Sequence, residues 1–360
     1  MKRKINFNAG PAVLPATVLE AAAAAVREYN DTGMSILELP HRGKEFAAIL
    51  DESRQLVKEL CNLGDDHEVL WLHGGGRLQF CMIPSNFASD FNAAGYIDSG
   101  HWAEEAMEYA TYYGDVQILA SSREQHYSKL PEWPKEIPAQ LNYLHLTTNN
   151  TIYGTQWHNI PEANVPLIAD MSSDILSMKR DYSRYAMFYA AVQKNLGAAG
   201  LSLAVIRKDM LRRIVRPVPP MLNYQQQVKE GSVLNTANVF GVYTSLLMLR
   251  WIKAKGVDVI EKENRQKAGM IYDVLDNSTI YKPHVTVKEH RSLMNVCFTM
   301  ANAEMEAAFN TLCTAHNITG IKGHRSVGGF RVSLYNAVSV ADTQTLVTLM
   351  KQFESAQTGA

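Results

Sequence analysis

Cysteine is scarce in this chain: Cys61, Cys81, Cys297 and Cys313 are the only four in 360 residues, and none stand in CxxC spacing. That pattern argues against a disulfide framework or a zinc knuckle, and for buried thiols in a reducing compartment. No metal site is expected. Neither sign of charge is in excess, with 35 Lys+Arg against 36 Asp+Glu and a formal net charge of −1. A chain so balanced has no global field to draw it onto nucleic acid or an anionic membrane, so anion binding has to come from local clusters. Long apolar runs are missing too. The longest near-apolar stretch, Ala186–Val192, is far too short to span a bilayer. The segment Met1–Gly10 is basic but carries no apolar core, so no signal peptide is expected and the cytoplasm is the expected location. Dinucleotide and P-loop glycine motifs are lacking, which weakens nucleotide readings.

What the chain does have is apolar residue, 46% of the total. That is ample for a large core, and the length predicts two or three structural units, since single cores stop growing near roughly 250–300 residues. Within Lys44–Leu60 the residues Phe46, Ile49, Leu50, Ser53, Leu56, Val57 and Leu60 repeat at helical spacing, Ser53 being the one polar member. Glu68–His73 reads as a short buried strand, followed past its glycines by a helix near Leu78–Phe87. Strand-like runs recur at Ala94–Asp98, Val116–Ala120, Leu141–Leu146, Pro166–Met171, Ala186–Gln193 and Leu201–Arg207, with a helix at Trp102–Tyr113. Alternation of this kind predicts an α/β fold with a mostly parallel sheet. The last hundred residues read as a smaller α+β unit. Helices at Val239–Ala254 and Val259–Asp276 lead into strands near Val285–Lys288 and Leu293–Met300, a helix at Ala303–Ala315, a strand at Phe330–Tyr335 and a closing helix.

Several loops carry residues with chemical potential. The apolar run from Ala186 leads to Gln193 and Lys194 and then a glycine turn. Ligands collect at the carboxyl ends of strands in open α/β sheets. A lysine desolvated there has a lowered pKa and a free amine for a carbonyl. Asp170 closes another apolar strand, where a carboxylate can hold a pyridine nitrogen protonated. Between a strand and a helix stands His73-Gly-Gly-Gly-Arg77, whose glycines let backbone N–H groups approach an anion at Gly76 and Arg77. Trp102 follows the next strand and could stack on a planar group. Thr151 lies in a loop after a later strand, where its hydroxyl could bond a ring hydroxyl or a phosphate. The cationic segments at His41-Arg42, Arg77, His324-Arg325 and Arg331 suit a second anion. Taken singly, each has a plainer reading, as a snorkelling lysine, a helix cap, a core tryptophan or surface salt bridges. The glycine loop also suits the oxyanion loop of esterases, although no GxSxG elbow accompanies it. A hydrolase and an inactive dimeric scaffold therefore stand as alternatives.

Together these residues resemble the phosphoserine aminotransferases, fold-type I pyridoxal-phosphate enzymes of the class V aminotransferase group. The similarity runs through Phe7–Pro15, Ser35–Phe46, His73–Arg77, Ala169–Leu176, Gln193–Asn195, Asn235–Thr236 and Lys322–Arg331. It implies a seven-stranded, mostly parallel sheet sandwiched by helices over 15–256, with a small α+β domain made of 1–14 and 257–360. It implies that pyridoxal 5'-phosphate is bound as a Schiff base on Lys194, that Asp170 pairs with the ring nitrogen, that Trp102 stacks on the ring and that Thr151 bonds the ring oxygen. Gly76, Arg77 and Gln193 would hold the cofactor phosphate, joined by Asn235 and Thr236 from the neighbouring subunit of a homodimer with shared sites. Substrate anions would fall to His41, Arg42, Arg77, His324, Arg325 and Arg331. The implied reaction moves the amino group of L-glutamate, leaving 2-oxoglutarate, to 3-phosphohydroxypyruvate, giving O-phosphoserine. A second substrate, 4-phosphohydroxy-L-threonine, belongs to the same implication. Within the cofactor class, a cysteine desulfurase and a transaminase for small unphosphorylated amino acids are the rivals. Two departures from the family pattern, Leu78 after Arg77 and Asn150 before Thr151, sit in cofactor-proximal loops.

Overall fold

The computed structural model describes residues 3–359. Its centre is a seven-stranded sheet with the spatial order His67–His73, Leu201–Arg207, Met187–Ala191, Leu167–Asp170, Leu144–Thr147, Ala94–Asp98, Val116–Ser121. Only Leu201–Arg207 runs against its neighbours; the other six strands point the same way. The inner strands are mostly apolar and buried along almost their whole length because both faces are covered. Successive side chains alternate between those faces. Leu167, Ala169, Phe188 and Ala190 join one core cluster, and Ile168, Met187 and Tyr189 join the cluster on the opposite face. Phe188 has no exposed surface, and burial of that kind stabilises by about 1.5–3 kcal/mol per large side chain.

The helix Lys44–Leu60 covers one face as its spacing predicts, and Ser53 has a partner. Its hydroxyl accepts a 2.8 Å hydrogen bond from Trp71 Nε1 in the sheet, so the polar member of the stripe satisfies a buried indole. The helices Val239–Lys255 and Val257–Asn277 meet at Gly256, where φ is +84°. The first contributes Leu246, Leu249 and Ile252 to the sheet's core, while the second contributes Ala268, Ile271 and Leu275 to a separate cluster with residues 280–353. That separate cluster packs a three-stranded antiparallel sheet, Tyr281–Pro283, Asn295–Met300 and Phe330–Ser333, against Ala303–Ala315 and Val340–Thr358. Phe7 is buried in it, and Ile5–Asn6 pairs in parallel with Ile318–Thr319. No helix among the described residues is long and apolar enough to cross a membrane.

Three expectations need correction. The strand expected at Val285–Lys288 is absent. Its place in the sheet goes to Tyr281–Pro283, and Lys288–His290 forms a 3-10 turn. Pro283 lacks a backbone donor, so it suits this edge position. Val285 is still buried, as its apolar character demands, but outside the ladder. The helix Ala16–Arg27 had no counterpart in the periodicity reading, because a run of alanines gives little contrast between faces even though alanine is the best helix former. The strand expected to run to Gln193 ends at Ala191, which leaves Lys194 three residues beyond it in a turn.

Candidate active site

The six parallel strands end on one side of the sheet, and the loops beyond them wall a cavity of about 320 Å³. Lys194, Asp170, Thr151, Trp102, Gly76 and Arg77 all line it, with Gln193 beside them.

Lys194 Nζ donates to Thr151 Oγ1 at 2.9 Å. Burial, opposed by attraction to Asp170 and aided by repulsion from Arg331, lowers its pKa to about 8. A substantial neutral fraction then exists near neutrality. Asp170 is 5% exposed. Burial raises its pKa, while Lys194 and two hydrogen bonds from Ser172 act the other way. One of those bonds, from the Ser172 N–H to Asp170 Oδ1 at 2.8 Å, fixes the carboxylate's direction.

Trp102 opens the helix His101–Ala110. The preceding Gly100 has φ +148°, and a Cβ there would run into the Asn150 side chain. Asn150 in turn donates its amide to the Ser99 carbonyl, so it ties the tryptophan loop to the Thr151 loop. This accounts for one family departure. The other, Leu78, packs against Gly74, where a Cβ would lie 3.1 Å from it in a φ +83° conformation. Trp102 Nε1 is buried with no hydrogen-bond partner.

Gly76 begins the 12-residue helix Gly76–Phe87, and the N-cap Gly75 offers no side-chain cap. The Leu78 N–H turns back to the Gly75 carbonyl at 3.1 Å, which leaves the N–H groups of Gly76 and Arg77 to face an anion. The Arg77 side chain turns elsewhere. Its guanidinium makes a two-pronged pair with Glu105, 2.7 Å on each prong, and lies 5.4 Å above the Trp102 ring. Glu105 also faces His101 Nε2 at 3.2 Å. Neither Glu105 nor Ser172 stood out in the sequence. The signals available were the i,i+4 spacing from His101 to Glu105 and the Asp-x-Ser turn at Asp170.

The remaining cationic candidates divide. Arg331 Nη1 donates to the Thr151 carbonyl at 3.4 Å, and its Nε is buried without a partner. The His324 ring lies 6.0 Å from that of His101, and Arg325 is exposed beside it. His41 and Arg42 do not line the cavity of this chain. Arg42 instead donates to the Val233 carbonyl at 3.3 Å, next to Asn235 and Thr236, which also lie outside the cavity. Thus Arg42 is tied to the segment that carries Asn235 and Thr236, and none of these residues nor His41 lines the Lys194 cavity.

These residues fit pyridoxal phosphate by their chemistry. A carboxylate stands for a ring nitrogen, an amine for an aldehyde, an indole wall for the ring face, and an uncapped helix start for the phosphate. The family model of aminotransferase class-V matches residues 5–346. The phosphoserine aminotransferase of Flavobacterium johnsoniae is 44% identical over 98% of this chain and 99% of its own, and that of Bacillus cereus is equally similar over the same shares. Among solved structures, the phosphoserine aminotransferase of Bacillus circulans subsp. alkalophilus superposes with a TM-score of 0.95 at 39% identity, covering 99% of this chain and all of that one. The pyridoxal-phosphate-bound phosphoserine aminotransferase of Trichomonas vaginalis gives 0.91 at 32%, covering 97% of this chain and all of its own.

Proposed function

The chain belongs to the class-V aminotransferases and is a pyridoxal-phosphate-dependent transaminase, and we propose that it transfers the amino group of L-glutamate to 3-phosphohydroxypyruvate, giving O-phosphoserine and 2-oxoglutarate. The observation that carries this reading is the meeting, around one cavity, of a depressed-pKa lysine, a buried aspartate and the Arg77 guanidinium, with Arg331 bonded to the Thr151 loop behind the wall. The similarity to phosphoserine aminotransferases over nearly the whole chain supports the phosphorylated substrate. The same chemistry extends to 4-phosphohydroxy-L-threonine, which shares the phosphate and the amino acid end. Among the four cysteines, three are buried and none lines the cavity, which disfavours a desulfurase.

In this reading Lys194 anchors the cofactor through its amine, and once freed it carries the α-proton at Nζ, as base and then as acid. Its pKa of about 8 leaves it able to do both near neutrality. When bound, pyridoxal phosphate supplies an aldehyde that accepts the amino group and a protonated ring that takes up electrons. Asp170 keeps the ring nitrogen protonated, Thr151 orients the ring oxygen and Trp102 covers one face. Gly76 and Gln193 hold the phosphate with their backbone and amide groups, and Arg77 adds charge at the rim while held by Glu105. Arg331 takes the substrate carboxylate; His324 and Arg325 take the distal anion. Because none of His41, Arg42, Asn235 and Thr236 lines this chain's cavity, we assign them to the neighbouring site of a homodimer. His41 and Arg42 would bind substrate there, and Asn235 and Thr236 the cofactor phosphate. We divide the chain into 15–256 and 1–14 with 257–360, and place the protein in the cytoplasm.

The test is an absorbance titration of cofactor-loaded protein with O-phosphoserine, then serine and alanine. Bleaching of the visible band by O-phosphoserine and glutamate alone is the expected result. Equal bleaching by serine would remove the phosphate from the assignment.

A further inference from the structure

Beneath Asp170, on the same face of the sheet, lies a polar chain that the proposed reaction does not use. Asp170 is in register with Tyr189 of the neighbouring strand, and His145 stands one strand further out, in register with Ile168. Tyr189 has no exposed surface and His145 is 1% exposed. His145 Nε2 and Tyr189 Oη are 3.0 Å apart. Tyr96, Tyr224 and the Asp170 carboxylate also act on the Tyr189 hydroxyl, and of these only Asp170, its register partner on the neighbouring strand, is a carboxylate. His145 Nδ1 is buried with no partner.

Proton positions follow from these contacts. Burial pulls the His145 pKa down to about 3, so its ring is neutral and has one N–H. A buried N–H donor without a partner is rarer than a bare acceptor. The proton therefore sits on Nε2, and the orphan Nδ1 is a lone pair. With Nε2–H donating to Tyr189 Oη, the tyrosine's own proton needs an acceptor, and Asp170 is the one beside it. Burial and the negative charge of Asp170 keep that hydroxyl protonated.

We propose that His145 and Tyr189 are positioning residues for Asp170: His145 Nε2–H donates to Tyr189 Oη, whose hydroxyl donates to the Asp170 carboxylate and holds it ionised for a pyridine nitrogen. The inference rests on the role given to Asp170 above. It explains how a carboxylate in so dry a place stays an anion, since donors fill its lone pairs in place of water.

Cofactor affinity of the cofactor-free protein, read by quenching of tryptophan fluorescence, separates this role from a packing role. The probes are pyridoxal phosphate and its carbocyclic analogue, in which a carbon replaces the ring nitrogen. Tyr189→Phe is expected to weaken pyridoxal phosphate about tenfold, the scale of one hydrogen bond to a charged group, and to leave the analogue unchanged. Equal losses for both compounds, or no loss for either, overturn the proposal. His145→Gln, which retains an N–H, should fall between Tyr189→Phe and the parent. In the unaltered holoenzyme, ¹⁵N spectroscopy should find His145 protonated at Nε2, and the Nδ1–H form would overturn the chain of donors without touching the cofactor assignment. Failure of the unaltered protein to bind either probe would instead remove Asp170's role, and this inference with it.

Discussion

A half-buried lysine and a fully buried one stand in the two halves of the molecule, and both have lowered pKa values. Lys194, at about 8, faces the cavity and spends one hydrogen bond on Thr151. Lys267, drawn by burial towards about 7, has no exposed surface and donates to the carbonyls of Leu334, Tyr335 and Val338 at 2.9–3.0 Å. Those three acceptors match all three hydrogens of an ammonium and oppose the effect of burial. Two arginines repeat the contrast. Arg77 pairs with Glu105 over Trp102 at the rim of the cavity. Arg291 pairs with Asp276 at 2.7 and 2.9 Å, over the ring of Tyr272, and is 7% exposed. The same groups border a cavity in one half and are packed into the interior of the other. Burial and a shifted pKa do not by themselves mark a catalytic group; open space beside it does.

The largest expected effects break the lysine pair. Lys194→Ala should lower transamination by well over a hundredfold and abolish the visible cofactor band, with little change in thermal midpoint. Lys267→Met should keep the band but cost about 3 kcal/mol of stability, as three buried carbonyls lose a donor at about 1 kcal/mol each. Calorimetry and turnover on both variants decide the matter, and near-normal turnover in Lys194→Ala would sink it. Next in size, Asp170→Asn should slow exchange of the substrate α-proton about tenfold or more with the fold intact, since a neutral partner leaves the ring a poorer electron sink. An unchanged exchange rate would count against that role.

Acidity sharpens the comparison further. Capture of pyridoxal phosphate by the cofactor-free protein needs the neutral Lys194 amine, so its rate should fall about tenfold for each pH unit below about 8. Lys267, sealed from solvent, should not be trapped by borohydride at any of those pH values. For the arginine pair, Asp276 is held down to about 2, first by its hydrogen bond from Arg291. Its folded pKa is depressed, so its contribution is present above the ordinary carboxylate pKa, near 4, and is lost as pH falls towards about 2. Asp276→Asn should remove that acid-side slope in melting experiments and leave KM alone. Glu105→Gln should do the opposite, raising KM for the phosphorylated substrate a few-fold with an unchanged melting temperature. A shifted melting temperature with a constant KM would make Glu105 another packing group.

Much of this arrangement was legible before folding. The Lys44–Leu60 stripe and the run of short apolar segments implied helices over a parallel sheet, with Asp170 closing one strand and Lys194, Gly76 and Trp102 each standing past another. Where the reading failed, local contrast was missing. Alanines hid the helix at Ala16–Arg27, and the strand Tyr281–Pro283 is only three residues long. The failures around the site have a different cause. Glu105 matters because its helix faces Arg77, and His145 because its strand lies next but one to Tyr189. Similarly, the pairing of Arg42 with Val233 bridges 191 positions of chain.

By itself, then, the sequence determined which residues are available for chemistry and that they lie at strand ends, because alternation and breakers act over a few neighbouring residues. Only the tertiary structure decided which lysine opens on a cavity, which arginine is tied to the rim and which buried histidine stands behind Asp170. A group's pKa and reach depend on charges and solvent within a few ångströms. Those surroundings come from segments far apart in the chain, brought together by the order of strands in the sheet.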